Sequence, residues 1–317
     1  MKKEIKNLSS YVRNDLNIKI PHTHAHILGV EISRTNDGLV YKQSSSENVC
    51  DDDISSEIIE KAIVMLGRNS HAYFHFPMEY ISQLYHIKEY DLSNFKFIIG
   101  NGKNNDWLVM WIKLFFPNMD DKNIIILKKG RPLFLKYAVM VGRTFGLQIH
   151  PREIPDEIKW MNQYIIKNLQ LNNNVANKLL LVKRNYSRTL NDWSQLKKIC
   201  KKYCRILNLE LDVFDDATDL GTPKEQLIRF NSAKIIIGSH GAGFTNLIGC
   251  HQTDLFIEIC GSSRKRLTGI GSESVAYEVM AKTLEINYHK IISEDGEVKL
   301  HEIEIILANI NKTKNKK

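Results

Sequence analysis

Residues 238–246 read Gly-Ser-His-Gly-Ala-Gly-Phe-Thr-Asn and follow directly on the apolar run Ile235-Ile236-Ile237. A buried strand that ends this way and turns into a helix gathers backbone N–H groups and the positive end of a helix dipole at one point, which suits an anion. Gly241 and Gly243 allow a ligand to approach the backbone without an intervening Cβ, and His240, Ala242, Thr245 and Asn246 complete the turn. A diphosphate fits such a turn physically. The spacing is not the dinucleotide fingerprint, whose third glycine and later acidic residue are out of register, and no Gly-Lys-Ser/Thr follows as in a phosphate loop. The alternative is a tight strand-to-helix turn with no ligand.

A second group, Lys183-Arg184-Asn185-Tyr186-Ser187-Arg188, stands where another apolar strand ends, at the edge where open α/β sheets bind ligands. Arg184 and Arg188 are candidates for a forked grip on phosphate oxygens, or else surface charges in a loop. A third group is His75 and Glu79 within Tyr73-Phe74-His75-Phe76-Pro77-Met78-Glu79. Helical spacing places an imidazole and a carboxylate on one face, where they could share a proton-transfer task or orient one another. A satisfied core histidine is the alternative.

The elements that must position these groups follow from periodicity. Early strands are expected around residues 27–30 and 38–41, helices over 55–66 and 73–85, a strand at 95–100, a helix over 107–116 and a strand at 123–127. The second half alternates more cleanly. Strands at 178–183, 209–214, 234–238 and 254–259 are interleaved with helices over 193–204, the first capped by Asn191 or Asp192, and over 222–233 and 275–284, with a terminal helix over 297–310. Strand and helix in alternation predict parallel α/β layers. The polar stretch 170–174 marks a boundary between domains 1–172 and 173–317.

Composition narrows the class. The chain has 317 residues, 43% hydrophobic and 25% charged, with a net charge of +8. This is a globular composition that could attract any anion, and much of the charge lies in Lys-rich ends that read as solvated. Five cysteines, Cys50, Cys200, Cys204, Cys250 and Cys260, fit neither a disulfide framework nor a zinc site and read as reduced thiols. No signal peptide or membrane span is expected, which predicts a cytoplasmic protein and leaves peripheral membrane contact open. Asp51-Asp52-Asp53, Asp120-Asp121 and Asp215-Asp216 resemble metal-binding pairs but read as solvated loops, and His22, His24 and His26 lack a nearby carboxylate partner.

In order and spacing the chain resembles glycosyltransferase family 61. The likeness rests on Tyr73-Phe74-His75-Phe76 with Glu79, on Lys183-Arg184 through Arg188 with Leu190-Asn191-Asp192, on Glu225-Gln226 with Phe230 and Ala233, and on Ile236 through Asn246 followed by Ile257-Glu258-Ile259. It departs from the family pattern at Ser239, Phe244 and Gly249-Cys250-His251. The resemblance implies a GT-B architecture, two Rossmann-like domains facing across a cleft, and inverting transfer of a sugar from a nucleoside diphosphate donor, a UDP-sugar, to a glycan acceptor in surface polysaccharide synthesis. It implies that His240, Gly241, Ala242, Gly243, Thr245 and Asn246 surround the diphosphate, that Arg184 and Arg188 neutralise it, and that Glu258 receives ribose hydroxyls. Glu79 with His75 would take the acceptor proton. No cofactor besides the donor and no metal is expected, because cations and helix-end amides can replace the metal's charge. A nucleotide-sugar-binding protein without catalysis is the alternative, and a basic nucleic-acid-binding protein is disfavoured because no base-reading helix or aromatic platform is visible.

Overall fold

The computed structural model describes residues 30–35, 38–43, 58–66, 70–100, 105–126, 133–135, 138–140, 155–218, 220–261, 275–294 and 296–314. The chain divides into two compact units, Met1–Ile149 and His150–Lys317.

In the N-terminal unit, β1 (Val30–Thr35) and β2 (Gly38–Gln43) form an antiparallel pair. β3 (Ile58–Ile59) and β4 (Ala62–Met65) follow, then a π-helical turn over Phe76–Ile81 that continues as a 3₁₀ turn over Ser82–Ile87. β5 (Lys96–Ile99), α1 (Asn105–Phe115), β6 (Ile124–Ile126), β7 (Leu133–Leu135) and β8 (Ala138–Met140) complete the described part. One sheet has the order β1-β2-β7-β3, and the other, β6-β5-β4-β8, is parallel throughout. The helix expected over residues 55–66 is replaced by β3 and β4. Every residue of the Ala-Ile-Val-Met run in β4 is buried and the strand is paired on both sides, an environment that favours a short continuous apolar strand over an amphipathic helix.

The C-terminal unit opens with α2 (Pro155–Asn168), which lies before the expected boundary at 172/173 yet packs on this unit: Asn162 Nδ2 donates to the carbonyls of Ile248 and Cys250, both at 2.8 Å. There follow β9 (Lys178–Lys183), α3 (Trp193–Leu207), β10 (Glu210–Asp215), α4 (Pro223–Asn231) and β11 (Ala233–Ser239). A 3₁₀ helix over Ala242–Gly249, then β12 (Leu255–Gly261), α5 (Ala276–Thr283), β13 (Asn287–Ser293) and α6 (Leu300–Lys314) end the unit. All five strands are parallel in the order β10-β9-β11-β12-β13.

Sequence chemistry explains these elements. α4 starts at a capping box in which Thr222 and Glu225 satisfy each other's backbone amides, with Pro223 in the first turn. Asp192 occupies the position before α3, but its carboxylate accepts from the amide of Val298 at 3.0 Å instead of capping the helix. One face of the sheet buries Leu179, Leu181, Ile235, Ile237 and Ile257 against Leu196, Cys200, Ile303 and Leu307 of α3 and α6. On the alternate residues Phe256 meets Phe244 at 4.7 Å, and Phe214 of β10 meets Phe230 of α4 at 5.2 Å. β13 was absent from the expected elements; its half-buried, polar-rich residues at the sheet edge carry no apolar run.

Candidate donor site at the strand-order reversal

In the C-terminal sheet the chain first builds outward from β9 to β10, then returns to place β11 on the other side of β9. At such a reversal the loops leaving neighbouring strands diverge, and the crevice outside their carboxyl ends is where open α/β sheets bind ligands. The two loops here are 184–188 after β9 and 240–243 after β11. They are the two segments whose residue types make them candidates for phosphate binding.

Gly238 and Gly241 are both needed for this geometry. A Cβ on Gly238 would stand 2.5 Å from the Val182 carbonyl, so β9 and β11 approach closely only with glycine there. A Cβ on Gly241 would stand 1.8 Å from Nη1 of Arg184, which shows that the guanidinium lies directly against the turn's backbone. Arg184 is braced from behind: its Nε pairs with Asp216 Oδ2 at 2.9 Å, and its Nη2 donates to Ser187 Oγ at 3.0 Å. Arg188 Nη1 donates to the His240 carbonyl at 3.2 Å, and Ser239 Oγ donates to the Arg188 carbonyl at 2.5 Å. Arg188 itself is in the left-handed region, with φ of 55°, so these contacts hold a conformation that costs a non-glycine residue about 1–2 kcal/mol. Asn185 completes the loop by bonding Asp216 through its backbone amide, at 2.7 Å, and both Asp215 and Asp216 through its side chain.

Asp215 and Asp216 therefore hold the arginine loop in place. Lys183 pairs with Asp215 at 2.9 Å, and backbone bonding from Ala217, followed by the Lys183 contact, lowers the Asp215 pKa. Sequence spacing did not reveal this bracing, because the aspartates lie on the neighbouring strand's end. Asp120 and Asp121 are likewise paired, with Lys122 and Lys113. Asp51–Asp53, His22, His24, His26 and Cys50 lie outside the described residues.

Beneath the turn, Tyr277 from α5 donates its hydroxyl to the Gly241 carbonyl at 2.8 Å, while burial raises its pKa. Asn246 bonds the Gly243 carbonyl at 2.9 Å and Gln226 at 3.1 Å. Thr245 and Asn246, expected to face a diphosphate, are fully buried and shape the turn from inside, whereas Ala242 and Gly243 are partly exposed. The first amides of a helix have no acceptor one turn earlier, so the exposed backbone here is donor-rich.

His240 closes the site. Its Nδ1 is hydrogen-bonded to Glu258 Oε1, and its ring meets Tyr277 edge-on at 5.4 Å. Glu258 is fully buried, and its other oxygen accepts from the Tyr288 hydroxyl at 2.6 Å. The ribose contact expected of Glu258 is therefore not available in this geometry; the carboxylate holds His240 instead. Among the described residues His240, Glu258 and Cys260 bring metal-ligating atoms within 4.8 Å of one another, and the Glu258 carboxylate of that set is already hydrogen-bonded to His240 and Tyr288. Cys200, Cys204, Cys250 and Cys260 are free and buried.

In the N-terminal unit the π-helical turn places His75 Nδ1 2.9 Å from Glu79 Oε1. The expected pairing on one face is present, with Glu79 buried and His75 partly exposed. Pro77 lies in the first turn, and Phe76 stacks near Tyr80 with 6.2 Å between ring centroids. π-Helical turns concentrate at functional sites, which fits a reactive pair held at this position.

Among the described residues no helix is long and apolar enough to cross a membrane. No curated protein matches the chain. The pattern of the family described as Glycosyltransferase 61 matches residues 73–257, more than half of the 317 residues, and spans both the His75–Glu79 pair and the loops at the strand-order reversal. On that match the chain belongs to glycosyltransferase family 61.

Proposed function

We propose that this glycosyltransferase transfers a sugar, with inversion, from a nucleoside diphosphate donor to a glycan acceptor. The donor's diphosphate sits at the crevice beyond β9 and β11, and a UDP-sugar is the favoured donor. The observation that carries this reading is the seating of two guanidinium groups on one glycine turn: Arg184 against Gly241 and Arg188 on the His240 carbonyl. A diphosphate bound there meets forked cationic donors and the amides of Ala242 and Gly243 together. As the glycosidic bond to the diphosphate breaks, negative charge grows on the leaving oxygen, and fixed donors of this kind each contribute on the order of 3 kcal/mol.

In the same reading, the His75–Glu79 pair removes the proton from the acceptor hydroxyl as it attacks the sugar's anomeric carbon on the face opposite the diphosphate. A GT-B arrangement of the two units, a role in surface polysaccharide synthesis, a cytoplasmic location with peripheral membrane contact and independence of metal belong to this proposal. The bracing of Arg184 and Arg188 supports the last of these, since their charge does what a divalent ion does elsewhere. Isothermal calorimetry with UDP, UMP, ADP and GDP tests the reading. Binding of UDP well above UMP, lost in Arg188→Ala, is the expected result. Equal affinity of the wild type and a folded Arg188→Ala variant for UDP would remove its basis.

A further inference from the structure

Glu258 is a carboxylate placed where carboxylates are costly. It lies fully buried on β12, between β11 and β13 in a parallel sheet, and such a charge persists only when its lone pairs are matched by donors. The donors come from the strands on either side. His240 Nδ1, just past the end of β11, bonds Oε1, and the Tyr288 hydroxyl of β13 bonds Oε2 at 2.6 Å, while the Cys260 thiol lies two residues along β12 on the same face, within 4.8 Å of the carboxylate. Burial and then the Glu258 charge push the Cys260 thiol up to about 12 and raise the Tyr288 hydroxyl. Both groups therefore stay protonated at neutral pH, and Tyr288 remains a donor.

The consequence falls on His240. Its Nδ1 edge is taken by a buried carboxylate, its ring is pinned by Tyr277, and its side chain keeps 11% exposure. The two ring nitrogens lie on different edges, so the edge carrying Nε2 is the one left for a ligand. We infer that Glu258, anchored by Tyr288, is a positioning residue that holds His240 with Nδ1–H inward and Nε2 outward beside the Gly241 turn, so that Nε2, protonated when the phosphate is bound, is the ring atom that donates to a donor phosphate oxygen. This rests on the diphosphate reading of that turn. Glu258 and Tyr288 both lie beyond the residue-73–257 family match.

The test is nitrogen NMR of ring-labelled histidines in the full chain, with His240 assigned by the signals missing from His240→Gln. In the wild type Nδ1 carries a proton, and UDP addition moves the Nε2 signal toward that of a protonated nitrogen while Nδ1 changes little. In Glu258→Gln and Tyr288→Phe the Nδ1 signal shifts, and UDP affinity falls by about 10–100-fold in Glu258→Gln and by less in Tyr288→Phe, the range seen when a group orienting a histidine is removed. An Nδ1 signal identical in wild type and Glu258→Gln would overturn the positioning role. Should Glu258→Gln fail to fold, Tyr288→Phe, which keeps the carboxylate, decides by the same signal. An Nδ1 that responds to both substitutions, with Nε2 blind to UDP and Arg184→Ala binding UDP like wild type, would instead sink the diphosphate reading and leave the ring's orientation by Glu258 standing.

Discussion

The guanidinium of Arg184 fills the space in which a side chain on Gly241 would begin. Gly241 has φ of 174°, an extended backbone open to any residue, so glycine is required here by the arginine and not by the turn. Gly241→Ala should therefore fold normally and displace Arg184. The loss of one charge-assisted contact to a phosphate is worth about 1.5–3 kcal/mol, a roughly 10–100-fold weaker UDP affinity. Calorimetry with UDP, beside an unchanged circular dichroism spectrum, checks both halves; undiminished UDP binding by Gly241→Ala would separate Arg184 from the donor.

Arg229 grips Asp212 with two nitrogens, Nε to Oδ2 at 2.8 Å and Nη2 to Oδ1 at 2.6 Å, on the far edge of the same sheet. This bonding, more than any other cause, lowers the Asp212 pKa below 3.8. A carboxylate with a lowered folded-state pKa contributes stability above its unfolded value and loses it as pH falls through the folded value. The melting temperature should thus drop below pH 3.8 as Asp212 is protonated. Asp212→Asn should be less stable than wild type near neutrality, and the gap should narrow on acidification. A gap independent of pH would contradict the assignment. The partial exposure of this pair keeps the expected effect small.

Phe244 is buried under the glycine turn, 4.7 Å from Phe256 and 5.6 Å from Tyr277. Phe244→Ala opens a cavity below the segment that carries Gly241 and Gly243. The expected destabilisation is about 3–5 kcal/mol, measured by urea unfolding. Because Tyr277 leans on Phe244 and donates to the Gly241 carbonyl, UDP affinity should fall in the same variant. Full affinity in a destabilised protein would show that the turn keeps its shape without this support.

The parts of the fold legible in the sequence were those with uninterrupted patterns. The run Lys178–Lys183, the run Ala233–Ser239 and the helix at Trp193–Leu207 lie where apolar periodicity predicts them. The glycine turn and the two arginines that lie against it stood out as candidates because glycines after an apolar strand and paired arginines are residue types suited to phosphate. Residues 55–66 misled because apolar residues broken by Glu60 and Lys61 suit a helical face as well as two short strands, and only the pairing of β3 with β7 and of β4 with β5 and β8 decides. Glu258 and Tyr288 were missed as a pair for a related reason: β13 has no apolar run, so nothing along the chain placed Tyr288 across from β12. Thr245 and Asn246 suggested contacts to a ligand because they are polar residues at a first helical turn, yet both are buried, and Asn246 bonds Gly243 and Gln226 inside the unit.

His75 and Glu79 give the sharpest separation of binding from chemistry. They lie in the N-terminal unit, while every group assigned to the diphosphate lies in the C-terminal unit. Glu79→Gln keeps the size of the side chain and an oxygen for His75 but removes the capacity to accept a proton. A general base contributes about 10²–10⁴-fold to rate, so turnover with a competent acceptor should fall by that factor while the UDP-induced rise in melting temperature stays that of wild type. His75→Gln distinguishes the two assignments within the pair. If Glu79 is the base and His75 its orienter, His75→Gln should cost less than Glu79→Gln, and combining them should add little, since groups acting as a unit are not additive. If the imidazole is the base, the order reverses. Wild-type turnover in both single variants would mean that the pair only shapes the π-helical turn, and the proton must then leave by a route outside it.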